Sequence, residues 1–185
     1  MSTTTAVSSV EVPPGESLSA LVDWVKAGAP VDQEKYRPSY PGDPDPDATK
    51  GVVSFTSPSG KMACDTEGGL VFCDVRLLDP PPRPVVGQGN WESGWIDYRS
   101  TTASIGSLAG GIRVGWGLGP VLPYGSRVDF GDYSCRLEAD GLTCVDPAVN
   151  TGVRISDGGI VPFGCLHRLS GSDPASSSKG VEFGC

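Results

Sequence analysis

Four of the six cysteines fall into two matched pairs, Cys64 with Cys73 and Cys135 with Cys144, and each pair encloses eight residues. Gly68 and Gly69 sit at the centre of the first interval. A two-residue hairpin turn needs positive φ, which glycine adopts without steric cost, so a turn there sets Cys64 directly opposite Cys73. Facing Cα atoms in such a ladder lie about 4.5–5.5 Å apart, a span that a disulfide bridges. The same parity assigns Met62, Cys64, Val71, Cys73 and Val75 to one face and Asp65 to the other, the pattern of a strand pair half buried on a core. In the second interval Glu138-Ala-Asp-Gly141 makes a four-residue loop. Cys135 then faces Cys144, Leu137 and Leu142 point inward, and Arg136 and Thr143 point outward. The two hairpins read as a weak internal repeat. Cys165 and Cys185, each ending a Phe-Gly-Cys, are left for one another, although six cysteines formally allow many other connectivities.

Eight intervening residues do not suit a structural zinc site, whose ligands come two to four apart on one tight turn, and no Cys-x-x-Cys redox motif is present. Three pairs point to an oxidising compartment: secreted, periplasmic or cell-surface. The start, Met-Ser-Thr-Thr-Thr-Ala, has neither a basic nor an apolar segment, so it is expected to follow a removed export signal, with Met1 standing where a lipidated cysteine would be. No run approaches the ~20 apolar residues of a membrane-spanning helix, which leaves a lipid as the means of membrane attachment. A net charge of −8 and a pI near 4.5 argue against nucleic acid and anionic membrane surfaces.

The 26 glycines and 17 prolines among 185 residues favour short strands and turns over long helices. Strands are predicted over 52–56, 61–66, 70–77, 94–99, 103–108, 111–116, 127–130, 133–137, 142–145, 152–156 and 160–163. The spacing predicts an antiparallel barrel or sandwich, mainly β, over 51–185. Ahead of it come a tether over 1–14 and a helix within 15–28. In the helix Leu18, Leu21, Val22 and Val25 form one stripe, and Gly28 and Pro30 stop it. It should lie outside the β domain with that stripe facing in. A Pro/Asp-rich linker is expected over 29–50. Its Asp43, Asp45 and Asp47 alternate as calcium ligands do, but prolines fill the gaps and neither the turn glycine nor the closing glutamate is there, so a solvated linker is the reading. No metal or cofactor is expected.

Several of these residues carry a resemblance. Phe55-Thr-Ser-Pro-Ser-Gly-Lys-Met-Ala-Cys64, Cys73-Asp74, Leu122-Pro-Tyr-Gly125, Cys135 and Gly141-Leu-Thr-Cys144, with Asp23-Trp-Val-Lys26, Gly94-Trp-Ile-Asp97 and Pro162-Phe-Gly-Cys165, resemble a group of small exported, often lipid-anchored envelope proteins of mycobacteria and other actinobacteria. The likeness covers about residues 20 to 168. Lys61 stands where asparagine is commoner in that group, and 170–185 falls outside the pattern. The resemblance implies an envelope location and paired cysteines, and carries over no catalytic or binding residue.

Candidate chemistry is thin. His167 is the only histidine, and without a Gly-x-Ser-x-Gly elbow or a free cysteine it has no nucleophile to activate. Glu67 and Glu138, in equivalent hairpin turns, could act as the carboxylate pair of a cell-wall carbohydrate hydrolase if the turns faced each other at about 5–9 Å. A purely structural or antigenic domain is a further alternative. Aromatic residues offer more: Trp91, Trp95, Tyr98, Trp116 and Tyr124 crowd the middle of the chain, and loop aromatics stack on sugars or grip apolar ligands. Trp95 and Tyr98, an odd number apart, cannot both face inward from one strand. The expectation is a non-enzymatic binding domain that uses Trp91, Trp95, Trp116 and Tyr124 on an envelope component or small ligand.

Overall fold

The computed structural model describes residues 17–38, 51–67, 69–85, 87–108, 119–170 and 178–185. The strands form two sheets, so the sandwich alternative holds and no barrel closes. The first sheet contains β1 (Ala29–Pro30), β7 (Ser126–Phe130), β8 (Tyr133–Glu138), β9 (Gly141–Asp146), β10 (Thr151–Ser156) and β11 (Gly159–Gly164), in the order β1-β7-β8-β9-β10-β11. The second runs β12-β13-β6-β5-β4-β3-β2. It is built from β2 (Val53–Thr56), β3 (Met62–Glu67), β4 (Leu70–Val75), β5 (Trp91–Arg99), β6 (Thr102–Leu108), β12 (His167–Arg168) and β13 (Lys179–Gly184). All pairings are antiparallel except that of β1 with β7.

The cysteine arithmetic holds. Cys64 pairs with Cys73 and Cys135 with Cys144 across their hairpins, with Cα separations of 4.1 and 4.0 Å, and Cys165 joins Cys185 at 5.0 Å. Three disulfides suit an oxidising, extracellular environment. In the second sheet Phe55, Cys64, Cys73, Ile96 and Ile105 face one another in register. Val128, Cys135, Cys144 and Val153 do so in the first. Both rows enter one core, to which Tyr98, Leu122, Leu137, Leu142 and Ile155 add their side chains.

Helix α1 (Leu18–Lys26) begins where the Ser17 hydroxyl accepts from the Ala20 amide. Its stripe turns inward as expected: Leu21 and Val25 are fully buried beside Val145, on the outer face of the first sheet. Two arginines on that face hold the helix C-terminus. Arg136 donates to the Trp24 carbonyl at 2.8 Å and lies 4.2 Å over the Trp24 ring, while Arg127 donates to the Lys26 carbonyl. Cations are favoured there, because the last carbonyls of a helix are unpaired and carry partial negative charge.

The stretch expected as a linker over 29–50 is built into the fold at its start. Ala29 and Val31 amides donate to Gly125 and Arg127 carbonyls, and Val31 and Tyr36 pack on the core, so backbone pairing and apolar burial override the proline-rich composition. The Asp43–Asp47 run, the 1–14 tether and the strand predicted over 111–116 lie outside the described residues.

The sheet edges are managed. β1 and β12 are two residues long, and β2 is covered by the backbone around Val121, with Thr56 and Leu122 amides donating to Pro120 and Thr56 carbonyls. β11 is the longest edge strand. Its register, with the Cys165 amide donating to Asn150, turns the amide positions of 160, 162 and 164 away from β10, and Pro162 has no N–H to offer.

Candidate functional site

At one end of the sandwich four turns converge, from widely separated parts of the chain. The Ser57-Pro-Ser-Gly60 turn brings Lys61, the β8–β9 turn brings Glu138 and Asp140, the β10–β11 turn brings Asp157, and Pro123–Ser126 brings Tyr124. Together they bound a shallow open cleft of about 120 Å³.

Each turn has a local cause. Ser57 accepts from the Met62 amide and its own carbonyl takes the Gly60 amide, with Gly60 at φ +67°. Ser126 N–H donates to the Pro123 carbonyl across Tyr124-Gly125, and Gly125 at φ +80° completes a type II turn that leaves the tyrosine at its corner. Gly141 is required by contact as well as by φ: a Cβ there would lie 2.4 Å from the Ile155 carbonyl oxygen.

The charges of the cleft are matched in pairs. Lys61 Nζ lies 3.2 Å from Asp157 Oδ2, tying the two sheets together across the cleft, and the Leu78 amide donates to the Asp157 carbonyl. Arg136 holds Glu138 at 2.6 Å, and Arg154 approaches Asp140 at 3.6 Å. Arg136 therefore links the cleft to α1. Tyr124 is 41 % exposed at the rim, whereas Met62, Val75 and Leu137 beneath are 6 %, 2 % and 1 % exposed.

Of the aromatics expected at a binding surface, Tyr124 stands at this cleft. Trp95 is buried against Phe72, ring centroids 5.3 Å apart, on the outer face of the second sheet. Trp91 is half-buried, its Nε1 donating to the Pro81 carbonyl at 3.3 Å. The Trp95 ring is covered, and Trp91 is partly so. Trp116 lies outside the described residues. Tyr98 faces the core from the other side of β5 and shares a 2.8 Å hydrogen bond with the Thr151 hydroxyl, so the odd spacing does place the two rings on opposite faces, both covered.

The carboxylate pair considered for hydrolysis is not assembled. Tyr133, at the start of β8, donates its hydroxyl to Gly69 beside Glu67, whereas Glu138, at the other end of β8, shares the cleft with Met62. β3 alone separates Met62 from Glu67 by about 17 Å. Glu67 is exposed at that far end. His167 is exposed on β12, its Nδ1 donating to the Cys165 carbonyl at 3.3 Å, and all six cysteines are in disulfides. Among the described residues no group of three or more His, Cys, Asp or Glu side chains is placed to hold a metal ion.

One buried charge lies away from the cleft. Asp65, assigned to an outward face, has no exposed surface, and neither carboxylate oxygen has a hydrogen-bond partner. Its alternation is right and its solvation is not, because that face of the sheet is itself covered. Burial pushes the Asp65 carboxyl up to about 6; the nearby Ser54 hydroxyl, without making a hydrogen bond of ordinary geometry, pulls weakly the other way, and the Glu67 charge adds to the rise. Sequence reading passed over Lys61, Asp140 and Asp157 as site residues, although the turns that carry the two aspartates were legible.

Comparison with known proteins finds no matching family model, curated protein or solved structure.

Proposed function

We propose that this chain is a non-enzymatic binding domain of an exported cell-envelope protein, and that it takes its ligand in the cleft beside Tyr124. One observation supports this above the others: an exposed aromatic ring stands at a turn corner on the rim of a cleft lined by charge-paired side chains, while the described groups considered for catalysis are dispersed. Rigid aromatic surface provides contact area at low entropic cost. The resemblance to exported actinobacterial proteins supports an envelope location, and its lipid-anchored members support attachment through a lipid ahead of α1.

The test is complementation of a deletion strain. Tyr124→Ala should fail to restore the wild-type phenotype, and His167→Ala and Glu67→Gln should restore it fully. Loss of function in the His167 variant alone, with disulfides and Tm unchanged, would replace the binding reading with an enzymatic one.

A further inference from the structure

Resting on that reading of the cleft, we propose that its ligand is a neutral saccharide, seated with a C–H face on the Tyr124 ring and its hydroxyls on Asp140, Asp157 and Lys61. Charge comes first in the argument. Each cleft carboxylate already has a cation of this chain within 4 Å: Asp157 with Lys61, Glu138 with Arg136, Asp140 with Arg154. A ligand with net charge of either sign would have to compete with one of these pairs, whereas a neutral ligand leaves all three in place.

An alkyl ligand is disfavoured by area. Met62, Val75 and Leu137 at the floor are already sealed, and the exposed lining is divided about evenly between apolar and polar atoms, so an aliphatic chain would leave the polar half unmet. That polar half is accessible: the Asp140 and Asp157 side chains keep 46 % and 36 % of their surface, and Lys61 keeps 52 %. A carboxylate offers about four acceptor sites and an ammonium three donors, more than one ion pair consumes. Adjacent hydroxyls, each donor and acceptor, match that mixture.

The experiment is amide-resolved NMR of the intact protein titrated with maltotriose, cellotriose and α-mannotriose, and in parallel with trigalacturonate, spermidine and octanol. At least one neutral trisaccharide should shift amides within 57–61, 124–125, 138–141 and 156–158, with a dissociation constant of roughly 0.1–1 mM. Tyr124→Ala should weaken that binding about ten-fold or more, and Tyr124→Phe should retain it, since stacking needs the ring and not the hydroxyl. Cleft shifts from trigalacturonate, spermidine or octanol without any from the sugars would overturn the saccharide assignment and leave the binding site standing. Shifts that fall elsewhere, or none from any probe at about 20 mM, would overturn both.

Discussion

Replacing Asp65 with asparagine should stabilise the protein at neutral pH and leave it nearly unchanged in acid. The carboxyl titrates at 3.8 when solvated and at about 6 in the folded chain. Below pH 3.8 both states are protonated and the side chain is neutral. As pH rises from 3.8 to about 6 the unfolded state gives up its proton first, so stability falls across that window and stays lower above it. A difference of about two pKa units at 1.36 kcal/mol each amounts to about 3 kcal/mol. Asparagine mimics the neutral acid at every pH, so Asp65→Asn should match the wild type near pH 3 and exceed it by ~3 kcal/mol at pH 7.5. For a chain of this length that corresponds to a Tm higher by roughly 6–12 °C. Guanidinium unfolding of both proteins at a series of pH values, disulfides intact, isolates the effect, because every carboxylate that does not interact with Asp65 cancels in the difference. A gap independent of pH, or an asparagine variant less stable at pH 7.5, would refute the reasoning and show that the native carboxylate has a charge partner.

Removing both cysteines of one hairpin, as Cys64→Ala with Cys73→Ala, should cost about 3 kcal/mol in denaturant unfolding. Non-reducing peptide mapping of the wild type should recover Cys64–Cys73, Cys135–Cys144 and Cys165–Cys185, and a Cys64–Cys135 peptide would contradict the fold. Arg136→Ala leaves Glu138 without its partner and α1 without its C-terminal clamp, a loss of ~2–4 kcal/mol, with hydrogen exchange rising first in α1 amides. Gly141→Ala forces a Cβ onto the Ile155 carbonyl at a positive φ and should destabilise by ~2–4 kcal/mol, measured the same way.

The hairpins were legible because glycine position and cysteine spacing fix register together, and a period of two then assigns each residue to a face. Leu137, Leu142, Cys135 and Cys144 fall where that rule puts them. Alternation names the face and not what covers it. Hence Asp65 and Trp95 are on the outward side and yet buried, and Arg136 and Thr143 point outward into the ground beneath α1 rather than into water. The cleft was illegible for a different reason. Lys61 and Asp157 are 96 residues apart, and no local pattern encodes that two turns from different sheets meet. Only the ingredients could be read: the Ser-Pro-Ser-Gly turn, the Glu-Ala-Asp-Gly loop, and a tyrosine followed by glycine. Of the described aromatics, Trp95 is buried and Trp91 half-buried, since tryptophan fills space wherever a face is covered, while Tyr124 stays exposed at a turn corner.

The proline of β11 bears on how copies of this protein behave when crowded. Open sheets invite a neighbour's strand, and a long bare edge is the usual starting point for fibrils and domain exchange. A strand laid along β11 would find amide donors only at Ile160 and Gly164, with a gap between them where Pro162 sits. Among the described residues the remaining edges are too short or already occupied. Molecules held at high local density on a surface would thus stay separate bodies, each with its cleft unobstructed, rather than zipping into arrays.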